Sequence, residues 1–105
     1  MAAPYNPPVK NQDFVIYVGL EDMANPGSFK SSPTIAAGDF KVSKDGGTLT
    51  NLTTTPDVDP DSSVCLKISL SATEMNADSV VIVGIDQTAT KEWADFFLSI
   101  PTTSA

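Results

Sequence analysis

Residues 64–70, VCLKISL, place Val64, Leu66, Ile68 and Leu70 on one side of an extended chain and Cys65, Lys67 and Ser69 on the other. A period of two is the pattern of a strand with one buried face, and a helix cannot satisfy it. Such a strand needs neighbours, because its backbone donors and acceptors would otherwise go unpaired. The rest of the chain supplies them. In DFVIYVGL (13–20), Phe14, Ile16, Val18 and Leu20 share one face while Val15 and Tyr17 make the other apolar, which predicts a strand covered on both sides. VVIVGID (80–86) has the same two-sided character. In EWADFFLSI (92–100), Phe96, Leu98 and Ile100 share a face, Phe97 takes the other, and Pro101 ends the run.

The segments between these strands are punctuated by turn formers. Asn25-Pro26-Gly27 breaks a stretch without clear periodicity, which Phe29 and Ile35 are expected to anchor to the core. Pro56 and Pro60 interrupt the polar run TTTPDVDPDSS. Ser71 and Glu74 stand at capping-box spacing, so a short helix is expected over Ala72 to Ala77 with Met75 facing inward. Trp93 is expected in the core or at its edge.

The stretch GDFKVSKDGGTLTNL (38–52) invites comparison with a phosphate loop, but its spacing is wrong. A phosphate loop leads from a strand into a helix and places Gly-Lys-Ser/Thr after its first glycine, whereas here the lysines precede the glycines and strand follows on both sides. The better reading is a hairpin turning at Asp45-Gly46, with Gly46 or Gly47 at positive φ. A two-residue turn sets Val42 opposite Leu49. One extra residue in the return strand would bring Leu52 opposite Phe40, so a bulge is expected near Thr50-Asn51 or at Gly47.

Short strands, frequent turns and a single helical segment in 105 residues predict one domain. The expected fold is all-β: an immunoglobulin-like antiparallel β-sandwich of about six or seven strands with one short helical crossover between its sheets. A small barrel is the alternative. Residues 13–101 would form the sandwich and residues 102–105 a tail. Residues 1–12 carry Pro4, Pro7 and Pro8 and read as an extended arm, either a frayed end or a segment that lies on a neighbouring subunit.

Composition narrows the function. The net charge is −7, there is no histidine, and the six cations are all lysines (10, 30, 41, 44, 67 and 91), too scattered to neutralise a phosphate backbone. Nucleic acid is therefore not an expected partner. The start MAAPYNPPVK lacks the features of a secretory leader and no apolar run is long enough for a membrane helix, so synthesis in the cytoplasm without membrane association is expected. Cys65 stands alone and has no histidine to activate it, which makes it an inert strand thiol. Asp57, Asp59 and Asp61 alternate like the first ligands of a calcium loop. The glycine of such a loop is missing, however, and Ile68 stands where its bidentate glutamate belongs, so an irregular weak site competes with a plain solvated loop. Glu21-Asp22 and the pair Glu92 and Asp95 have no spacing that distinguishes them from surface charge. No enzymatic activity and no cofactor are expected.

The stretches AAGDFKVSKDGG, LSATEMNADSVVIVGIDQT and EWADFFLSIPTT together resemble a small domain that recurs in structural proteins of tailed bacteriophages and prophages. The similarity covers roughly residues 13–102. Its most specific part combines the Gly-Asp-x-x-x-Ser-Lys-Asp-Gly-Gly hairpin with Leu70-Ser71-Ala72-Thr73-Glu74-Met75. The resemblance implies a virion β-sandwich without catalytic residues. With the Pro-rich arm, it leads to the expectation of a capsid decoration or accessory protein, homo-oligomeric in the particle, whose Pro4, Tyr5, Asn6, Pro7, Pro8 and Val9 dock on the major capsid protein. Two other expectations stand beside it: a tail, neck or baseplate adaptor that mounts fibres, and a carbohydrate-binding adsorption module using Tyr5, Tyr17, Trp93 or Phe97.

Overall fold

The computed structural model describes residues 7–104. Seven strands and no helix occur among them: β1 (Phe14–Val18), β2 (Phe40–Lys44), β3 (Thr50–Asn51), β4 (Asp57–Val58), β5 (Leu66–Leu70), β6 (Ser79–Gly84) and β7 (Phe96–Pro101). They form a three-stranded sheet in the order β1-β5-β4 and a four-stranded sheet in the order β3-β2-β6-β7, with every pairing antiparallel. The chain changes sheet between β1 and β2, β3 and β4, and β5 and β6. This two-sheet, all-β arrangement is consistent with a β-sandwich, as the alternating segments predict.

The inner faces follow the sequence periodicity. Phe14, Leu66, Ile68 and Leu70 come from the first sheet and Phe40, Val42, Val80, Ile82 and Ile100 from the second, all buried in one core. Each such side chain contributes about 1.5–3 kcal/mol on leaving water. Loops close the core with Leu20, Leu52, Met75 and Trp93. The Trp93 ring stacks on Phe40 with centroids 5.4 Å apart, and its indole N–H donates to the Thr34 carbonyl at 3.3 Å.

Several expectations are corrected. The connection from β5 to β6 does pass between the sheets, but it is a turn and contains no helix. The capping box itself forms: the Ser71 amide donates to Glu74 Oε1 at 2.8 Å and the Glu74 amide to Ser71 Oγ at 3.2 Å. No helix grows from it because Ser79 already begins β6, and the nucleation cost of a helix is recovered only over several turns. The second oxygen, Oε2, instead accepts from the Thr53 amide at 2.9 Å, so the box ties this turn to the segment after β3.

β1 is not covered on both sides. It forms an edge of its sheet, and Val15 and Tyr17 are exposed on the outer face. Val81 and Val83 of the central strand β6 are half-buried rather than fully enclosed. Val64 is exposed, because β5 starts only at Leu66. Phe29 is also exposed, its ring lying over Gly19 instead of entering the core, while Ile35 packs against the core as expected.

The hairpin turns where its residues require. Asp45 and Gly46 have φ values of 51° and 77°, and the Gly47 amide donates to the Lys44 carbonyl at 2.9 Å. Positive φ at both central residues is the signature of the tight hairpin turn. Val42 pairs with Thr50, however, and not with Leu49. The extra residue therefore lies between Gly47 and Leu49, and the Leu52 amide reaches the Phe40 carbonyl at 3.2 Å. Leu49 is left exposed.

Candidate interaction surface

The outer face of the four-stranded sheet carries an apolar stretch. Register places Val83 directly beside Phe97, and Val81 beside Ser99. The alternation continues past β6 to Ile85, whose amide donates to the Asp39 carbonyl at 2.9 Å. Phe97 is 68% exposed, the highest value among the large apolar side chains described, and Ile85 is exposed beside it in the same outward series. Across β6, Lys41 pairs with Val83 and donates to Asn51 Oδ1 at 2.6 Å, which gives the stretch a polar border on that side.

On the other side lies an open edge. No strand follows β7 among the described residues, and Phe96–Pro101 contains no charged residue. Edge strands usually carry charges or bulges that discourage pairing, so an uncharged edge next to an exposed phenylalanine favours contact.

The end of this edge is occupied. Just past β7, the Thr102 amide still bonds back to Asp78 of the β6 side at 3.0 Å, so the polar groups of Thr103 point outward. Thr103 uses them on the N-terminal segment: its amide donates to the Pro8 carbonyl and its carbonyl accepts from the Lys10 amide, both at 2.8 Å. Val9 and Thr103 thus form a parallel bridge. Lys10 Nζ also meets Asp78 Oδ1 at 3.0 Å, and the Asn11 amide donates to the Met75 carbonyl at 3.0 Å. Of the expected partner-binding residues, Pro7, Pro8 and Val9 are half-buried. Pro4, Tyr5 and Asn6 lie outside the described residues.

A second apolar patch surrounds Gly19, where Tyr17, Phe29, Val64 and Cys65 line an open hollow. The Tyr17 hydroxyl donates to Asp59 Oδ2 at 3.2 Å.

The acidic candidates separate when placed in space. Asp57 sits in β4 opposite Lys67, Asp59 receives Tyr17, and no group of three potential metal-binding side chains occurs among the described residues. Glu21 accepts from the Gly27 amide and Asp22 from the Ala24 amide, both at 2.9 Å. Glu92 accepts from the Thr34 amide at 3.1 Å, and Asp95 pairs with Lys91 at 2.7 Å. These carboxylates hold loops in shape. Trp93, a candidate for sugar stacking, is completely buried.

Sequence reasoning missed three acidic clamps. Asp39, only 3% exposed, accepts from the Ala36 amide at 3.0 Å and joins the Gln87 amide at 3.4 Å. Asp45 Oδ1 receives the Asp78 and Ser79 amides at 3.1 and 3.0 Å, docking the hairpin turn on the start of β6. Asp86 accepts from the Thr88 amide and hydroxyl and from the Glu92 amide, at 3.1, 2.9 and 2.8 Å. Burial pushes the Asp86 carboxyl up, but the Glu92 and Thr88 donors and the nearby Lys91 charge outweigh it and hold its pKa below the ordinary value. The spacing Asp86-x-Thr88 is the local signal that could have marked this turn.

Comparison with known protein families, curated proteins and solved structures yields no match to the chain.

Proposed function

We propose that the protein is a non-enzymatic structural protein of a bacteriophage virion, acting as a capsid decoration or accessory subunit that binds and stabilises the shell. The reading rests on the sequence resemblance of the hairpin and the Leu70–Met75 segment, and one structural observation carries it further. The exposed Phe97 and the half-buried Val83 form an apolar pair beside an uncharged edge on which no further strand lies among the described residues, a surface suited to burying area on another protein. Glu21, Asp22 and Glu92 are engaged in loop hydrogen bonds and Asp95 in an ion pair. Binding to the assembled shell and not to its free subunits would stabilise it by mass action. The partner is the major capsid protein, with further copies of this chain repeated around the particle.

The immunoglobulin-like form of the sandwich belongs to the same reading. The orders β1-β5-β4 and β3-β2-β6-β7 fit the places B-E-D and C′-C-F-G of that fold. The fold's inter-sheet disulfide has no counterpart, since Cys65 is the single cysteine.

Quantifying this protein in purified virions tests the proposal. A shell protein is expected at hundreds of copies in order of magnitude, as the symmetry of a capsid requires. About a dozen copies would place it at the neck, tail or baseplate instead. Absence from the particle would end the virion reading.

A further inference from the structure

We propose that the outer edge of β1 pairs with β1 of a second copy of this chain, antiparallel about a two-fold axis at Ile16, joining two three-stranded sheets into one of six strands. The hydrogen bonds already made fix which groups face outward. The Asp59 amide donates to the Cys65 carbonyl at 3.1 Å, so Cys65 faces β4 and the alternate residues Leu66, Ile68 and Leu70 face β1. Their partners Val18, Ile16 and Phe14 turn their amides and carbonyls towards β5, and Val15 and Tyr17 turn theirs to the other side. The same alternation holds past the strand, where the Glu21 carbonyl and Met23 amide bond on that side to the Ala94 amide and Glu92 carbonyl, at 2.9 and 3.0 Å. No strand pairs with this side of β1 among the described residues.

The four edge strands are not equally fitted for this. β3 and β4 are two residues long and β4 carries Asp57, features that discourage further pairing. β7 is longer and uncharged, but Pro101 supplies no donor on its outer side and the groups of Thr103 are already bonded to the segment around Val9. β1, with the sequence FVIYV, has neither a charge nor a proline, and Val15 and Tyr17 present two donors and two acceptors. Charge points to the same place: copies that each carry −7 repel one another, so they meet most readily where the surface is uncharged.

The length of the available edge sets the register. At one end the chain turns, with the Gln12 amide donating to the Val9 carbonyl at 3.2 Å, and at the other Ala94 occupies the edge at Glu21. Residues 13–19 lie between, and an axis at their centre, Ile16, opposes Val15 to Tyr17 of the second copy. Each of these two pairs exchanges two backbone hydrogen bonds, four in all. The side chains of Val15 and Tyr17 stand on the outer face, 38% and 53% exposed, and the Phe29 ring, 64% exposed, covers Gly19 next to them. Pairing brings these three side chains of each copy into one apolar surface around the axis, which accounts for their exposure in the single chain. A contact of this size falls at the weak end of protein interfaces, below about 1,200 Å² in total, so the dimer is concentration-dependent. The inference does not rest on the virion reading and leaves Phe97 free for another partner. It is tested on the isolated protein, so either reading can fail without the other.

Sedimentation equilibrium of the full chain between about 1 µM and about 1 mM is expected to show monomer and dimer in exchange. Amide hydrogen exchange followed by NMR locates the contact: the Val15 and Tyr17 amides are expected to exchange about tenfold or more slowly at the dimeric end of the range, with Phe14, Ile16 and Val18 unchanged. Two double variants test the register. Val15→Lys with Tyr17→Lys sets like charges opposite each other and is expected to weaken association by about tenfold or more, whereas Val15→Lys with Tyr17→Glu sets opposite charges there and is expected to associate more tightly than the double lysine. Both alter exposed side chains, and cooperative unfolding shows that each variant folds. A monomer at every concentration would overturn the proposal. So would a dimer that protects Phe97 and Ser99 instead, or equal association of the two charge variants.

Discussion

The Phe40 ring occupies the space that a side chain on Gly84 would need: a Cβ placed there would stand 2.6 Å from Phe40 Cε2. Phe40 and Gly84 are paired across β2 and β6, and the same ring stacks on Trp93 and tilts against Phe96. The missing side chain thus seats the centre of the aromatic core. Gly84→Ala is expected to destabilise the protein by about 1–3 kcal/mol, measured by denaturant unfolding. Phe40→Leu in the same chain should recover part of that loss, because it removes the clash along with some packing.

Glu74 joins two turns that belong to different connections. Removing its carboxylate with Glu74→Ala leaves the partly buried Ser71 and Thr53 amide hydrogen bonds without their acceptor. The expected cost is about 1–3 kcal/mol. Glu74→Gln keeps one carbonyl oxygen and should fall between the two. If Glu74→Ala unfolds at the same denaturant concentration as the unaltered protein, the cross-tie contributes nothing.

The Asp86 clamp predicts a pH dependence of definite sign. A carboxyl whose folded pKa lies below its unfolded value contributes stability above the unfolded pKa and loses it as pH falls through the folded one. Asp86→Asn is therefore expected to be less stable than the unaltered protein by about 1 kcal/mol at neutral pH. The gap should begin to close below about pH 4, where the unfolded carboxyl takes up its proton, and vanish once the folded carboxyl is protonated as well. Unfolding curves for both proteins between pH 3 and 7 would show it, and a gap that widens in acid would contradict the clamp.

Phe97 separates folding from association. Because it is 68% exposed and points away from the core, Phe97→Ser should change unfolding free energy by no more than about 0.5 kcal/mol. On the proposed reading as a decoration protein, affinity for the shell should fall by about tenfold or more if the aromatic is an anchor of the interface. Sedimentation with purified shells reads the second quantity. Unchanged binding would remove Phe97 from the contact surface.

The periodic strands were legible because each has one face in the core. Leu66, Ile68 and Leu70 are buried where alternation places them, and Phe96, Leu98 and Ile100 point inward while Phe97 points out. What periodicity could not convey is which sheet faces are left uncovered: Val15 and Tyr17 look like core residues, but among the described residues no layer packs on the outer face of β1. β4 was invisible for a different reason. It is two residues long, and Val58 is its sole apolar side chain in a polar run. The spacing of Ser71 and Glu74 predicts the capping-box bonds that form but not the absence of a helix after them, since the local bonds say how a turn begins and not how far it runs. Asp45-Gly46 fixed the turn but not the register, because the extra residue before Thr50 depends on how the return strand meets β2. The candidate surface was least legible. Periodicity gives Phe97 its outward face, but the parallel bridge joins Val9 to Thr103, far apart in sequence, and leaves no local pattern at either.

The three passages between sheets also bear on how the chain acquires its structure during synthesis. The order of strands alternates between layers, so neither layer is made from one contiguous piece, and β6 cannot be flanked on both sides until β7 has emerged. Phe96, Leu98 and Ile100 thus leave the ribosome after the rest of this interior, and the segment around Val9 must wait for Thr103 before its bonds can form. Non-local pairing of this kind slows closure and leaves apolar strand surface open in the interval. A nascent chain halted before residue 96 is therefore expected to be sensitive to protease, and one extended past Thr103 and clear of the exit tunnel to be resistant.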